Sequence, residues 1–319
     1  MHETLAITGP IYLVIALGFL AGRLGIFSKP DMRVLGSYVV KFALPALVFT
    51  ALSQRPITEI LDARYLLAYL VGSLVVWFIA FAWGRWGSGK GLALSALFGL
   101  GASNSNSAFI GYPIAVLVCG PGTGAVGLAM CMFVENLVTI PLTLAMADHE
   151  NAAEGKWYRV LGRSMMQLAR NPVIIAIVAG FAVATLNISI SGALAKTINM
   201  LAMSSTAVAL FVIGGTLYGL EIRGMRRDAS TIALAKLVLH PLAVGTIVWL
   251  LPPADPTLRT AAVVFASVPM LSIYPILAQK YGYDTFCAAA LLLATILSFV
   301  TISAILWLLG PVLDWTVPR

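Results

Sequence analysis

Tyr112-Pro113-Ile114 recurs 162 residues later as Tyr274-Pro275-Ile276. The same offset carries Pro10 onto Pro172, Gly18-Phe19 onto Gly180-Phe181 and Phe49 onto Phe211. Four matches at one offset, two of them through proline, mark an internal duplication in a chain with only 16 prolines. A duplication constrains a fold strongly, because each half must form the same elements and the halves must then pack on each other. In a membrane chain, equivalent proline breaks in equivalent segments point to a transporter's substrate site.

Hydrophobic residues make up 60% of the chain and charged residues 10%, against roughly 25% charged in soluble domains. The apolar runs are about 20 residues long and do not alternate, which fits membrane helices rather than a barrel. Backbone groups in hydrocarbon must pair internally, and helices do this within one segment. Ten spans are expected, at about 7–24, 31–53, 64–83, 92–119, 122–147, 171–189, 192–219, 229–251, 258–281 and 285–309. The expected fold class is therefore an all-α integral membrane protein of ten transmembrane helices. Residues 1–147 form the first repeat, 148–170 a short polar linker and 171–319 the second repeat. In the linker, Trp157 and Tyr158 are placed to sit at the membrane interface. Five spans per half is an odd number, so the halves enter the membrane from opposite sides as an inverted repeat.

A net charge of +7 raises nucleic acid as a partner. The basic residues instead sit in short loops, so their arrangement is read as topology. With the N-terminus outside, thirteen Lys and Arg residues, including Arg23, Arg85 and Lys280, fall in inside loops, and five fall outside. This is the positive-inside asymmetry, and it places both termini outside. No basic stretch precedes span 1, which reads as a retained span rather than a cleaved signal. Cys119, Cys131 and Cys287 all fall inside spans and offer neither a disulfide framework nor metal-ligand spacing.

Spans 4 and 9 are poor helices. Span 4 carries Gly101-Ala102-Ser103-Asn104-Ser105-Asn106-Ser107 and then Gly111-Tyr112-Pro113. Gly and Pro weaken a helix interior, and Ser and Asn compete for its backbone bonds. Span 9 carries Pro269 and Pro275 six residues apart, with Ser272 and Tyr274 between them. Broken helices crossing at mid-membrane would present N–H groups and partial positive charge to an anion, and free carbonyls to a cation or donor. Asn104 and Asn106 add amides that donate and accept. Gly111, Tyr112, Pro113, Ser272, Tyr274 and Pro275 complete the candidate substrate site.

At these residues the chain resembles a known family. Asn106-Ser-Ala-Phe-Ile-Gly111-Tyr-Pro113 is similar to the crossover of the auxin efflux carrier family. Lys41-Phe-Ala-Leu-Pro45, Asn171-Pro172, Leu210-Phe-Val-Ile-Gly214 and Lys236-Leu-Val-Leu-His-Pro241 resemble its spans 2, 6, 7 and 8. The resemblance implies a fold like that of bile-acid sodium symporters, with spans 1, 2, 6 and 7 as a scaffold. Spans 3–5 and 8–10 would form a transport domain that moves as an elevator. It further implies a small organic anion as substrate, auxin-like or a dicarboxylate, and homodimers through the scaffold. Gly18-x-x-x-Gly22 and Gly215-x-x-x-Gly219 could serve such a dimer or pack within one subunit. The short central loop departs from the long-loop plant carriers and fits a bacterial-type member in the inner membrane.

Ionisable residues inside spans are costly and read first as functional. Glu135, beside Asn136, is the one carboxylate expected deep in a span and is a candidate proton carrier. Lys41 either snorkels to the inner boundary or faces the cavity as a cation. Lys236 and His240 lie one turn apart. The lysine is read as interfacial, and the histidine as a proton relay or a structural group. No cofactor is expected. Coupling to H+, coupling to Na+ and uncoupled uniport all stay open, and Na+ is the weaker choice because span 9 has no amide or carboxylate near its break. A receptor that binds the anion without carrying it is the rival function. An enzyme is disfavoured, because no base can be assigned to any nucleophile in the spans.

Overall fold

The structure, a computed structural model, describes residues 2–53, 62–151, 166, 169–218, 226–253 and 255–309. Most of the linker at 148–170, with Trp157 and Tyr158, lies outside the described residues, as does Gly219. Among the described residues every regular element is a helix. Helix α1 is His2–Arg23, and α2 and α3 are Lys29–Ser53 and Ala63–Gly87. Span 4 is broken into α4, Leu92–Ser103, and α5, a π turn Ser107–Gly111 that runs into Tyr112–Cys119. Helix α6 is Pro121–Asp148. The second half gives α7, Pro172–Thr185, α8, Gly192–Leu217, and α9, Arg227–Leu250. Span 9 is broken into α10, Pro256–Ser267, and α11, Tyr274–Gln279. Helix α12, Asp284–Leu308, completes the set. Counting each broken pair as one element, these helices fall where the ten spans are expected, with ends shifted by a few residues, and among the described residues six are long and apolar enough to cross a membrane.

Packing follows the duplication. Helix α1 lies along α8 as α7 lies along α2. Helix α3 packs on α4 as α9 packs on α10, and α5 on α6 as α11 on α12. Glycines allow the closest approach between α1 and α8. A methyl group on Gly18 would meet the Phe211 carbonyl, and one on Gly214 would meet the Ile15 carbonyl. Gly22 likewise faces Tyr218, and Gly215 faces Met32. The small residues around Gly18-x-x-x-Gly22 are therefore spent within the subunit.

Prolines shape the spans through π turns. Proline cannot donate to the carbonyl four residues back, and its ring crowds that carbonyl. The π turns Val39–Ala43, Ser107–Gly111, Glu135–Thr139 and Ala235–Leu239 each end two residues before a proline. Those prolines are Pro45, Pro113, Pro141 and Pro241. The widened turn relieves the clash and redirects the side chains it carries, and such turns are frequent at functional sites. Glu135 and Lys236 both stand in one.

Candidate substrate site at the crossed helix breaks

Helix α4 stops at Ser103, and Asn104 is extended with φ −98° and ψ 141°. The chain re-enters a helix only after Asn106, whose φ and ψ are −77° and 58°. No side chain caps this new helix, so the N–H groups that open α5 at Ser107 and Ala108 face outward with the positive end of its dipole. The second break starts at Val268, extended with ψ 156°. The following Pro269 disfavours a helical conformation there. Pro275 sits in the first turn of α11, where its missing donor costs nothing.

The two breaks touch. The Asn106 backbone N–H donates to the Pro269 carbonyl at 2.8 Å. The Asn106 side-chain amide donates to Ser272 Oγ at 2.7 Å. Asn106 is buried, whereas Ser272 and Ile273 are exposed. The junction is thus exposed at Ser272 and Ile273 and buried at Asn106.

Behind the junction lies a charged network centred on Ser105. Glu135 is 6% exposed. Its Oε1 accepts from the Ser105 backbone N–H at 3.0 Å, from Ser107 Oγ at 2.8 Å and from the Tyr69 hydroxyl at 3.3 Å. Lys236, fully buried, contacts Ser105 Oγ at 2.8 Å, the Ala266 carbonyl at 2.7 Å and His240 Nδ1 at 2.7 Å. His240 Nε2 meets Ser73 Oγ at 3.0 Å. With Lys236 charged, the lysine has only donors, so Nδ1 would accept and the ring proton would sit on Nε2, toward Ser73. A charged group at mid-membrane costs about 2.5–3.5 kcal/mol on insertion scales. Here Glu135 on α6 and Lys236 on α9 clasp one residue of the first break from two sides.

A family model described as a membrane transport protein matches residues 8–307. The chain belongs to this family. It is the auxin efflux carrier family that the crossover motif resembles, a family of transporters rather than enzymes. A relative from Rhizobium meliloti (strain 1021), named "Putative malonate transporter", is 29% identical over 310 residues and covers 97% of both chains. The Escherichia coli (strain K12) uncharacterized transporter YfdV is 28% identical over 306 residues, covering 94% of this chain and 95% of its own. A mouse protein named lysosomal cholesterol signaling protein is 25% identical over 94% of this chain but only 37% of its own length.

Within this membrane transport protein the expected site residues separate into three groups. Asn104, Asn106, Gly111 and Pro113 lie buried at the first break, and Ser272 lies at the second. Among the described residues the Asn104 amide nitrogen and the Tyr112 hydroxyl are buried without a partner. Tyr274, by contrast, turns inward. Its hydroxyl donates to the Leu97 carbonyl at 2.8 Å, which ties α11 to α4. Pro275, half-buried, shapes the start of α11.

The reading of the ionisable residues needs correction. Lys41 is exposed on α2 and is no part of the network. The lysine that pairs with the glutamate region is Lys236, which sequence reasoning put at the interface. Its side chain instead runs into the core, from the π turn Ala235–Leu239 to Ser105 and the Ala266 carbonyl. Asn136 Nδ2 donates to the Met132 carbonyl of its own helix at 2.8 Å. Tyr69, Ser105 and Ser107 were missed. The signal for Lys236 was present: a lysine and a histidine four apart, inside an otherwise apolar span.

An open cavity of about 590 Å³ lies elsewhere, between the ends of α2, α7 and the start of α8. It is lined by Phe49, Ser53, Ile188 and Lys196 among others.

Proposed function

We propose that this chain is a secondary carrier of small organic carboxylates that binds its anion at the crossed breaks. The observation that carries the reading is Asn106. Its buried amide bridges both breaks, beside the uncapped start of α5 and an exposed Ser272. Such a site holds a carboxylate with neutral donors, as broken helices do in other carriers. The name of the Rhizobium relative makes malonate the first dicarboxylate to try. In this reading α1, α2, α7 and α8 are a fixed scaffold, and the remaining helices carry the site past it as an elevator. The protein sits in a bacterial inner membrane with both termini outside. Homodimers would form through lipid-facing apolar side chains such as Leu13 and Met203, both exposed, since the glycines of α1 are already used. Coupling runs either through a proton on Glu135 or not at all. An exported anion needs no coupling ion, because a negative interior contributes about 2.3 kcal/mol per charge per 100 mV.

Reconstituted protein on a solid-supported membrane tests this. Malonate and related mono- and dicarboxylates should give saturable currents that Asn106→Ala removes. Currents untouched by Asn106→Ala would sink the crossover site. A second reading, a sensor that binds without carrying, is favoured by the signalling relative in mouse. It would show ligand-induced thermal stabilisation with no flux of labelled ligand.

A further inference from the structure

We propose that the Lys236 ammonium is a built-in cation: it fills a cage at the crossover that would otherwise take a free monovalent cation such as Na+, and so makes the carrier independent of Na+. The inference rests on the carrier reading but concerns the ion rather than the anion.

The cage is defined by three acceptors. The ammonium lies 2.8 Å from Ser105 Oγ, 2.7 Å from His240 Nδ1 and 2.7 Å from the Ala266 carbonyl. An ammonium has three N–H bonds, so each finds one acceptor and no place is left for water. Ala266 explains why a cation belongs there. In an unbroken helix its carbonyl would accept from the N–H four residues on, at Met270. The break beyond Ser267 removes that donor. A carbonyl stranded at the negative end of a half-helix attracts a cation. Ser105 belongs to the other break, so the site touches both crossovers at once. Glu135, bonded to the Ser105 backbone N–H at 3.0 Å, supplies a nearby negative charge. Lone pairs from both breaks, a neighbouring carboxylate and exclusion of water are what a bound monovalent cation requires.

The other lysines behave differently. Lys41, Lys196 and Lys280 are exposed, and Lys90 pairs with Asp228 at 2.7 Å in a partly exposed bridge. Among the described residues, Lys236 is the lysine whose charge is spent on the helix breaks.

The test compares wild type, Lys236→Ser and Lys236→Met as purified proteins. Thermal stability is read in Na+, K+ and choline at one ionic strength, without any anion substrate. Wild type should melt at the same temperature in all three salts. Lys236→Ser empties the cage and should gain a saturable rise in melting temperature with Na+ over choline. Lys236→Met fills the space with an apolar chain and should gain none. If Lys236→Ser is recovered only in Na+, that rescue supports the cage. If Na+ fails to rescue or stabilise it, the proposal is overturned. A wild type stabilised specifically by Na+ overturns it as well. Substrate currents of wild type should survive replacement of Na+ by choline. Absence of any anion current would strike the carrier reading, while the melting experiment would still decide the cage.

Discussion

The two crossovers share a backbone plan and differ in chemistry. Both follow a half-helix that ends in an extended residue, and both re-enter a helix near an equivalent proline, Pro113 or Pro275. The first is held by polar side chains from three other helices, Tyr69 on α3, Glu135 on α6 and Lys236 on α9. At the 162-residue offset, Glu135 corresponds to Leu297, Lys236 to Leu74 and Asn106 to Val268. Even the matching serines diverge. Ser105 joins the network, whereas Ser267 bonds only back to the Val263 carbonyl of its own helix. Ionisable side chains from both halves converge on Ser105 of the first break.

The sharpest way to break this contrast is Glu135→Leu, which makes the first crossover as apolar as the second. It strands the Ser105 N–H, the Ser107 and Tyr69 hydroxyls and the Lys236 charge. Removing one partner of a buried charged set costs about 3–5 kcal/mol. Thermal melting in detergent should show a large loss, and currents should vanish. Melting within a degree or two of wild type would mean that the network does not hold the break.

Asn106→Ala is the next largest change and should spare stability more than binding. A hydrogen bond to a charged group contributes about 1.5–3 kcal/mol, so the apparent affinity for the anion should fall roughly 10- to 100-fold. The concentration dependence of the current measures it. An unchanged half-saturation would move the anion site away from the break.

Much of the backbone, and less of the site, was legible in the sequence. Apolar run length and Pro or Gly breaks located ten spans and both interruptions, because hydrocarbon leaves the backbone so few options. The offset of Tyr112-Pro113 and Tyr274-Pro275 located the crossing itself. Side-chain direction was not legible. Lys41 and Lys236 look alike in sequence, each a few residues before a proline in an apolar span, yet one is exposed and the other is fully buried. Tyr112 and Tyr274 are repeat equivalents, yet only Tyr274 reaches a carbonyl on α4. Which face a π turn presents depends on the neighbours it packs against, and that information is spread over distant segments.

Glu135→Gln separates charge from shape. Glutamine keeps a carbonyl oxygen for the three donors that converge on Oε1, so folding should be largely retained. If Glu135 carries a proton during transport, wild-type currents should vary with pH and those of the variant should be flat. Equal pH profiles in the two proteins would assign Glu135 to holding Ser105, with Tyr69, Lys236 and His240 as its only task.

The smallest effects come from the equivalent serines, and they test the contrast atom for atom. Ser105→Ala removes one of the three acceptors of Lys236 and a partner of the Tyr69 hydroxyl, both buried. Leaving such donors unsatisfied costs about 1–3 kcal/mol. Ser267→Ala deletes a bond that only loops back onto α10 and should fall within about 0.5 kcal/mol of wild type. Both substitutions remove a single hydroxyl from a buried helix end, so cavity terms nearly cancel between them. Melting temperatures of the two variants, measured side by side, give the difference directly. A clear gap locates the chemistry in the first crossover. Equal losses would mean that both hydroxyls serve helix ends alike, and that the asymmetry of the charged residues does not extend to how the breaks are held.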